Sequence, residues 1–122
     1  MRFTEESSSG INIIRAYGGG EIKVNQEVYR TPLIVSVSLI VPGPAIGSAA
    51  ELAEAHAAPV LALEPEIVLL GTGARQSFPA ANFGAQFLVK GIGLEVMDTG
   101  AACRTFNVLV AEHRQVVALL FP

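Results

Sequence analysis

The sequence predicts an α/β domain in which helices pack against a mixed β-sheet. Three observations carry that prediction. The first third holds short β-branched runs separated by glycine and asparagine turns. The remainder alternates in the order α-β-α-β-α-β, which calls for a mixed sheet with helices laid on it. The length, 122 residues, suits one core and leaves no room for a second. Residues 1–10 are polar and are expected to form a flexible tail, so the domain is expected over 11–122.

Taken in order, Ile11-Asn12-Ile13-Ile14 reads as a short strand, and Tyr17-Gly18-Gly19-Gly20 as a turn, because three glycines forfeit local backbone order. Glu21-Ile22-Lys23-Val24 alternates polar with apolar, and Asn25-Gln26-Glu27 turns the chain into Val28-Tyr29. Residues 33–41 are apolar and β-branched and read as one long buried strand, ended by Pro42-Gly43-Pro44. Ser48-Ala49-Ala50-Glu51 has capping-box spacing and predicts a short helix to about Ala57. Ile67-Val68-Leu69-Leu70 is a buried strand stopping at Gly71-Thr72-Gly73. Pro79 with Phe83, Phe87 and Leu88 predicts a second helix, and Leu94-Glu95-Val96-Met97 the next strand. Asp98-Thr99 caps a third helix whose apolar face is Ala102, Cys103, Phe106, Leu109 and Val110, with His113-Arg114 at its C-terminal end. Residues 115–121 close the chain as a buried strand.

Composition narrows the function classes. Apolar residues make up 51% and charged residues 16% of the chain, against about 25% charged in typical domains. Such a composition fits extensive protein–protein burial, either self-association or a partner, with the Ala-rich 48–57 helix and the 78–87 segment as candidate contact surfaces. The net charge is −3 and no Lys/Arg cluster exists, so nucleic acid finds no electrostatic footprint. The longest strongly apolar run falls far below the ~20 residues of a membrane span. The lone Cys103 rules out an intrachain disulfide, and the N-terminus lacks signal-peptide character, so a cytoplasmic location is expected.

Two strand ends carry residues suited to chemistry. Ligands of open α/β sheets gather outside the carboxyl ends of parallel strands. Here those ends are Gly71-Thr72-Gly73-Ala74-Arg75 and Asp98-Thr99-Gly100-Ala101-Ala102-Cys103-Arg104. If the strands are neighbours, glycine backbone, helix-start N–H groups and two guanidiniums face one crevice, a candidate site for a small anion. The candidate ligand residues are therefore Gly71, Thr72, Gly73, Arg75, Asp98, Thr99, Cys103 and Arg104. The alternative is structural: tight turns, a helix cap, and arginines paired to carboxylates or to a partner. Cys103 admits the same two readings. Beside Arg104 and near a helix start it is a candidate nucleophile, yet it shares a face with Phe106 and Val110, as a buried thiol does. No general base is implied, since His56 and His113 sit far apart near predicted helix ends. Glu51, Glu54, Glu64 and Glu66 read as a solvated face, and no cofactor or metal is expected. Gly71-Thr72-Gly73 fails as a dinucleotide fingerprint because Gln76 stands where the third glycine belongs, and no P-loop, HExxH or G-x-S-x-G occurs.

Several longer strings resemble a known family. They are Tyr17-Gly18-Gly19-Gly20-Glu21-Ile22-Lys23-Val24-Asn25, Tyr29-Arg30-Thr31-Pro32-Leu33-Ile34-Val35, Val68-Leu69-Leu70-Gly71-Thr72-Gly73 and, above all, Met97-Asp98-Thr99-Gly100-Ala101-Ala102-Cys103-Arg104-Thr105-Phe106-Asn107-Val108-Leu109. They resemble the "domain of unknown function four-nine-eight", or Mth-like, family, which includes assembly factors of respiratory complex I. The resemblance runs from about Ile11 to Leu120. It implies a three-layer α/β fold with a central mixed five-stranded sheet, helices on its faces and an additional N-terminal β-hairpin layer. It carries the polar set Gly71, Thr72, Gly73, Asp98, Thr99, Cys103, Arg104, Thr105 and Asn107, and it brings no established reaction. Members often have Tyr at the position of Phe106, Gly at that of His113, and a Trp after the long strand, whereas this chain has no Trp. The implied role is a non-enzymatic interaction or assembly factor; the alternative is a small-molecule or anion binder, or an enzyme, using the 71–75/98–104 crevice.

Overall fold

A computed structural model describes residues 10–122. The expected tail therefore lies outside the described residues except for Gly10. Five strands form the central sheet: β4 (Leu33–Val35), β5 (Ile40–Pro42), β6 (Ile67–Gly71), β7 (Gly93–Met97) and β8 (Val116–Leu120), in the spatial order β5-β4-β8-β6-β7. β8 runs parallel to β6 and antiparallel to β4, and β6 runs parallel to β7. The sheet is thus mixed, as expected.

Both faces of this sheet are covered, and the period of two shows why β6 and β8 read as unbroken apolar runs. Leu69, Val116, Ala118 and Leu120 face one core with Phe106 and Cys103. Val68, Leu70, Val117 and Leu119 face the other, with Leu52, Val60, Phe83 and Phe87. The first core is closed by α3 (Thr99–Ala111) and by a separate antiparallel sheet of β1 (Ile14–Gly18), β2 (Glu21–Val24) and β3 (Glu27–Tyr29). The second is closed by two 3-10 turns (Ala49–Glu51 and Glu54–Ala57), α1 (Ala58–Leu61) and α2 (Ala81–Leu88). The result is the expected three-layer arrangement, with the hairpin layer extended to three strands.

Four local expectations change. Residues 33–41 form a hairpin of two short strands instead of one long strand. Ser36 turns the chain: its N–H donates to the Leu39 carbonyl at 2.8 Å and its hydroxyl accepts from the Leu39 N–H at 2.9 Å. A serine hydroxyl that bonds nearby backbone favours a turn over a ladder. The first strand starts at Ile14, not Ile11, because Asn12 is buried and its amide donates to the Ser36 and Leu39 carbonyls at 2.9 and 3.1 Å. The predicted 48–57 helix is broken at Leu52–Ala53, where the backbone is extended. Ser48 makes no cap, and the break lets Ala49, Leu52, Ala57 and Val60 all enter one core. His56 holds the second turn through Nδ1, which accepts from the Ala53 N–H at 2.9 Å. Finally, α2 starts at Ala81 with Ala80 as its N-cap, and Leu88 is 77% exposed while Phe83 and Phe87 are buried edge to face.

Candidate functional site

The connections after β6 and β7 leave on opposite faces of the sheet, β6 toward α2 and β7 toward α3. That places a switch point outside the carboxyl ends of these two neighbouring strands, where ligands gather in such sheets. The structure brings four of the eight predicted residues, Gly73, Asp98, Thr99 and Arg104, to one cleft there, and several of the eight engage one another. The Thr72 N–H donates to the Met97 carbonyl and the Thr99 N–H to the Gly73 carbonyl, each at 2.9 Å, so the two loops continue the ladder beyond the strands. Thr99, 6% exposed, ties three ends together: its hydroxyl accepts from the Gly73 N–H and donates to the Phe121 carbonyl, both at 2.7 Å. Gly73 has φ +100°, a conformation that favours glycine. At Gly71 a methyl group would lie 2.9 Å from Leu120 Cδ2, 3.0 Å from Thr99 Oγ1 and 3.1 Å from Ala102 Cβ, so the missing side chain is what lets α3 approach β6.

Asp98 caps α3 as expected, accepting from the Ala101 N–H at 2.9 Å, so its own carboxylate sits at the helix start. The Thr72 hydroxyl donates to the Arg75 carbonyl at 2.5 Å and accepts from the Ser77 N–H at 3.1 Å, shaping its own loop. Cys103 is 1% exposed, and burial pushes its thiol up to about 12 against a smaller opposing effect of the Arg104 charge. It belongs to the core beneath α3, not to the crevice. Asn107 acts as a clamp: its amide accepts from the Ile14 N–H at 3.0 Å and donates to the Ile14 carbonyl at 2.9 Å, fastening β1 to α3. Thr105 donates to the Ala101 carbonyl at 2.8 Å.

Arg104 points the other way. Its guanidinium donates to the Tyr17 hydroxyl and lies 5.8 Å from the centre of the Tyr17 ring. Beside this pair opens a cleft of about 350 Å³, lined by Tyr17 through Glu21, by Gly73 and Ala74, by Asp98 through Gly100, and by Arg104 and Pro122. Of the eight residues predicted to form a site, the cleft brings together Gly73, Asp98, Thr99 and Arg104; Gly71, Thr72, Arg75 and Cys103 do not line it. The wall from Tyr17 to Glu21 escaped sequence reasoning, which treated the glycines as a turn alone. That turn is a two-residue hairpin, with Gly19 at φ 62° and Gly20 at φ 79° between the paired Gly18 and Glu21. Glu21 is engaged by Arg30, whose guanidinium reaches it at 2.8 and 2.9 Å. Among the described residues no group of three His, Cys, Asp or Glu is placed to hold a metal, and no helix is long and apolar enough to cross a membrane.

Residues 14–121 match the model of a family described as protein of unknown function DUF498/DUF598. The chain belongs to this family. Over 120 residues it is 32% identical to the NADH dehydrogenase [ubiquinone] 1 alpha subcomplex assembly factor 3 of Danio rerio, covering 97% of this chain and 68% of that one. It is 30% identical over 121 residues to a protein of Francisella tularensis subsp. holarctica called a 13 kDa major membrane protein, covering 98% of both. Its fold is that of a Bordetella pertussis protein described as a Mth938-like domain, with TM-score 0.79 and 29% identity, covering all of this chain and 92% of that one.

Proposed function

We propose that this chain is a non-enzymatic interaction factor that assists assembly of a larger protein complex, a respiratory NADH dehydrogenase. One observation carries the reading: within the block that resembles the family most closely, the thiol, the hydroxyl and the carboxylate suited to catalysis are each buried or bonded to neighbouring backbone. The Cys103 thiol is buried with its pKa pushed to about 12, and Thr99 holds three chain ends. The Asp98 carboxylate is bonded to its own helix. The similarity to a protein named as an assembly factor extends over 97% of this chain and supplies the class of partner. A cytoplasmic site of action is part of the same reading.

Deletion of the gene in a host that makes a respiratory NADH dehydrogenase tests it. Native electrophoresis is expected to show accumulated sub-assemblies and a depleted full complex, restored when the chain is supplied again, with the chain in the soluble fraction. A full complex at undiminished level after deletion would contradict the proposal.

A second reading, binding of a small anion, has a specific observation behind it: the open cleft beside Arg104.

A further inference from the structure

We propose that the cleft between the glycine turn and α3 binds a carboxylate carried on a short apolar body, with Arg104 as its anchor. This deepens the interaction reading by naming the chemistry of what docks. The cleft, about 350 Å³, has room for one or two residues' worth of ligand. Its walls come from segments far apart in sequence, the turn at Gly18–Gly20 and the start of α3.

Charge decides the ligand class. Two side-chain carboxylates line the cleft: the Arg30 guanidinium engages Glu21, and Asp98 accepts from the Ala101 N–H at the start of α3. Arg104 differs from them, since among the described residues no carboxylate lies within ion-pair distance of it. Of the five N–H donors of its guanidinium, the Tyr17 hydroxyl takes one. The Tyr17 ring beneath it restrains the planar fork, which matches a carboxylate in bidentate geometry. The rest of the wall is mostly glycine, with Ala74, Thr99 and Pro122 beside it. A methyl group placed at Gly18, Gly19, Gly20 or Gly73 would meet nothing within 4 Å, so the space over these residues is open to an apolar group. The carboxylate belongs either to a polypeptide C-terminus or to a free organic acid, and the chemistry at Arg104 is the same for both.

The test uses the whole chain and follows backbone amide signals by NMR during titration with three probes: N-acetyl-glycyl-leucine, its C-terminal amide, and isovalerate. The free-acid peptide is expected to shift the signals of Gly18–Gly20 and Gly100 saturably, and the amide to bind at least about tenfold more weakly, since a charge-assisted bidentate pair is lost. Arg104→Gln is expected to weaken the acid by a similar factor while leaving the rest of the spectrum in place, and Arg104→Lys to recover only part of it. Isovalerate binding as well as the peptide would assign the site to free acids; the peptide binding better would assign it to a chain terminus. Equal binding of acid and amide, or no shift with any probe, would overturn the proposal. An assembly defect on deletion together with no carboxylate binding would remove this inference and leave the assembly reading standing.

Discussion

The inner and outer sides of the Asp98–Asn107 block differ although they belong to the same stretch of sequence. On its inner side, Thr99, Cys103 and Asn107 join α3 to the strand ends, the core and β1. On its outer side, Arg104 reaches across the surface to Tyr17 and borders an open cleft. Consecutive positions, Cys103 and Arg104, lie on the buried knot and on the exposed wall. A polar string that resembles a family motif is therefore not evidence of chemistry along its whole length; burial and partners separate the residues that build the fold from those that face outward.

The largest expected effect falls on the knot. Thr99→Val keeps the shape but strands the Gly73 N–H and the Phe121 carbonyl, and is expected to cost roughly 2–4 kcal/mol in urea unfolding. A loss within about 0.5 kcal/mol would mean that the three ends hold together without Thr99. Gly71→Ala comes next, at about 1–3 kcal/mol, because the new methyl meets Leu120, Thr99 and Ala102 at 2.9 to 3.1 Å.

Cys103 sharpens the contrast through pH. Its folded pKa, about 12, lies above the ~8.5 of an unfolded thiol, so the folded state holds the proton more tightly. Its contribution is fully present below about pH 8.5 and is lost as pH rises toward about 12. The melting temperature of the wild type should fall more steeply across that window than that of Cys103→Ala, and parallel curves would place the thiol in a more solvated setting. The smallest effect belongs to the outer side. Tyr17→Phe removes only an exposed hydrogen bond and keeps the ring under Arg104, so unfolding should change by no more than about 0.5 kcal/mol. A loss comparable with that of Thr99→Val would erase the distinction between knot and wall.

Much of this was legible in the sequence, for physical reasons. β6, β7, α3 and β8 have apolar patterns whose period and length fit one element each, and the Asp98 cap obeys a local rule. The hairpin within residues 33–41 was hidden because a serine in an apolar run also fits a strand; only its hydroxyl bond to Leu39 shows a turn. The break at Leu52–Ala53 arises from core burial overriding a capping signal, which depends on partners far away in the chain. At the site, the strand ends pointed to eight residues, of which Gly73, Asp98, Thr99 and Arg104 line one cleft and Gly71, Thr72, Arg75 and Cys103 do not. The opposite wall was out of reach, because the Tyr17–Arg104 contact joins residues 87 positions apart and leaves no local pattern. The turn at His113 was equally hidden. It stands at φ 62°, where the chain leaves α3 in the left-handed region that favours glycine, and nothing in the local pattern marks it.

The proposed assembly role works by contact and needs no chemistry at the buried thiol. Rescue of NADH dehydrogenase assembly in the deletion host by Cys103→Ala tests this most directly, with folding of the variant checked by its melting curve. A full complex restored to the wild-type level is expected. A folded Cys103→Ala variant that leaves the sub-assemblies in place would contradict it.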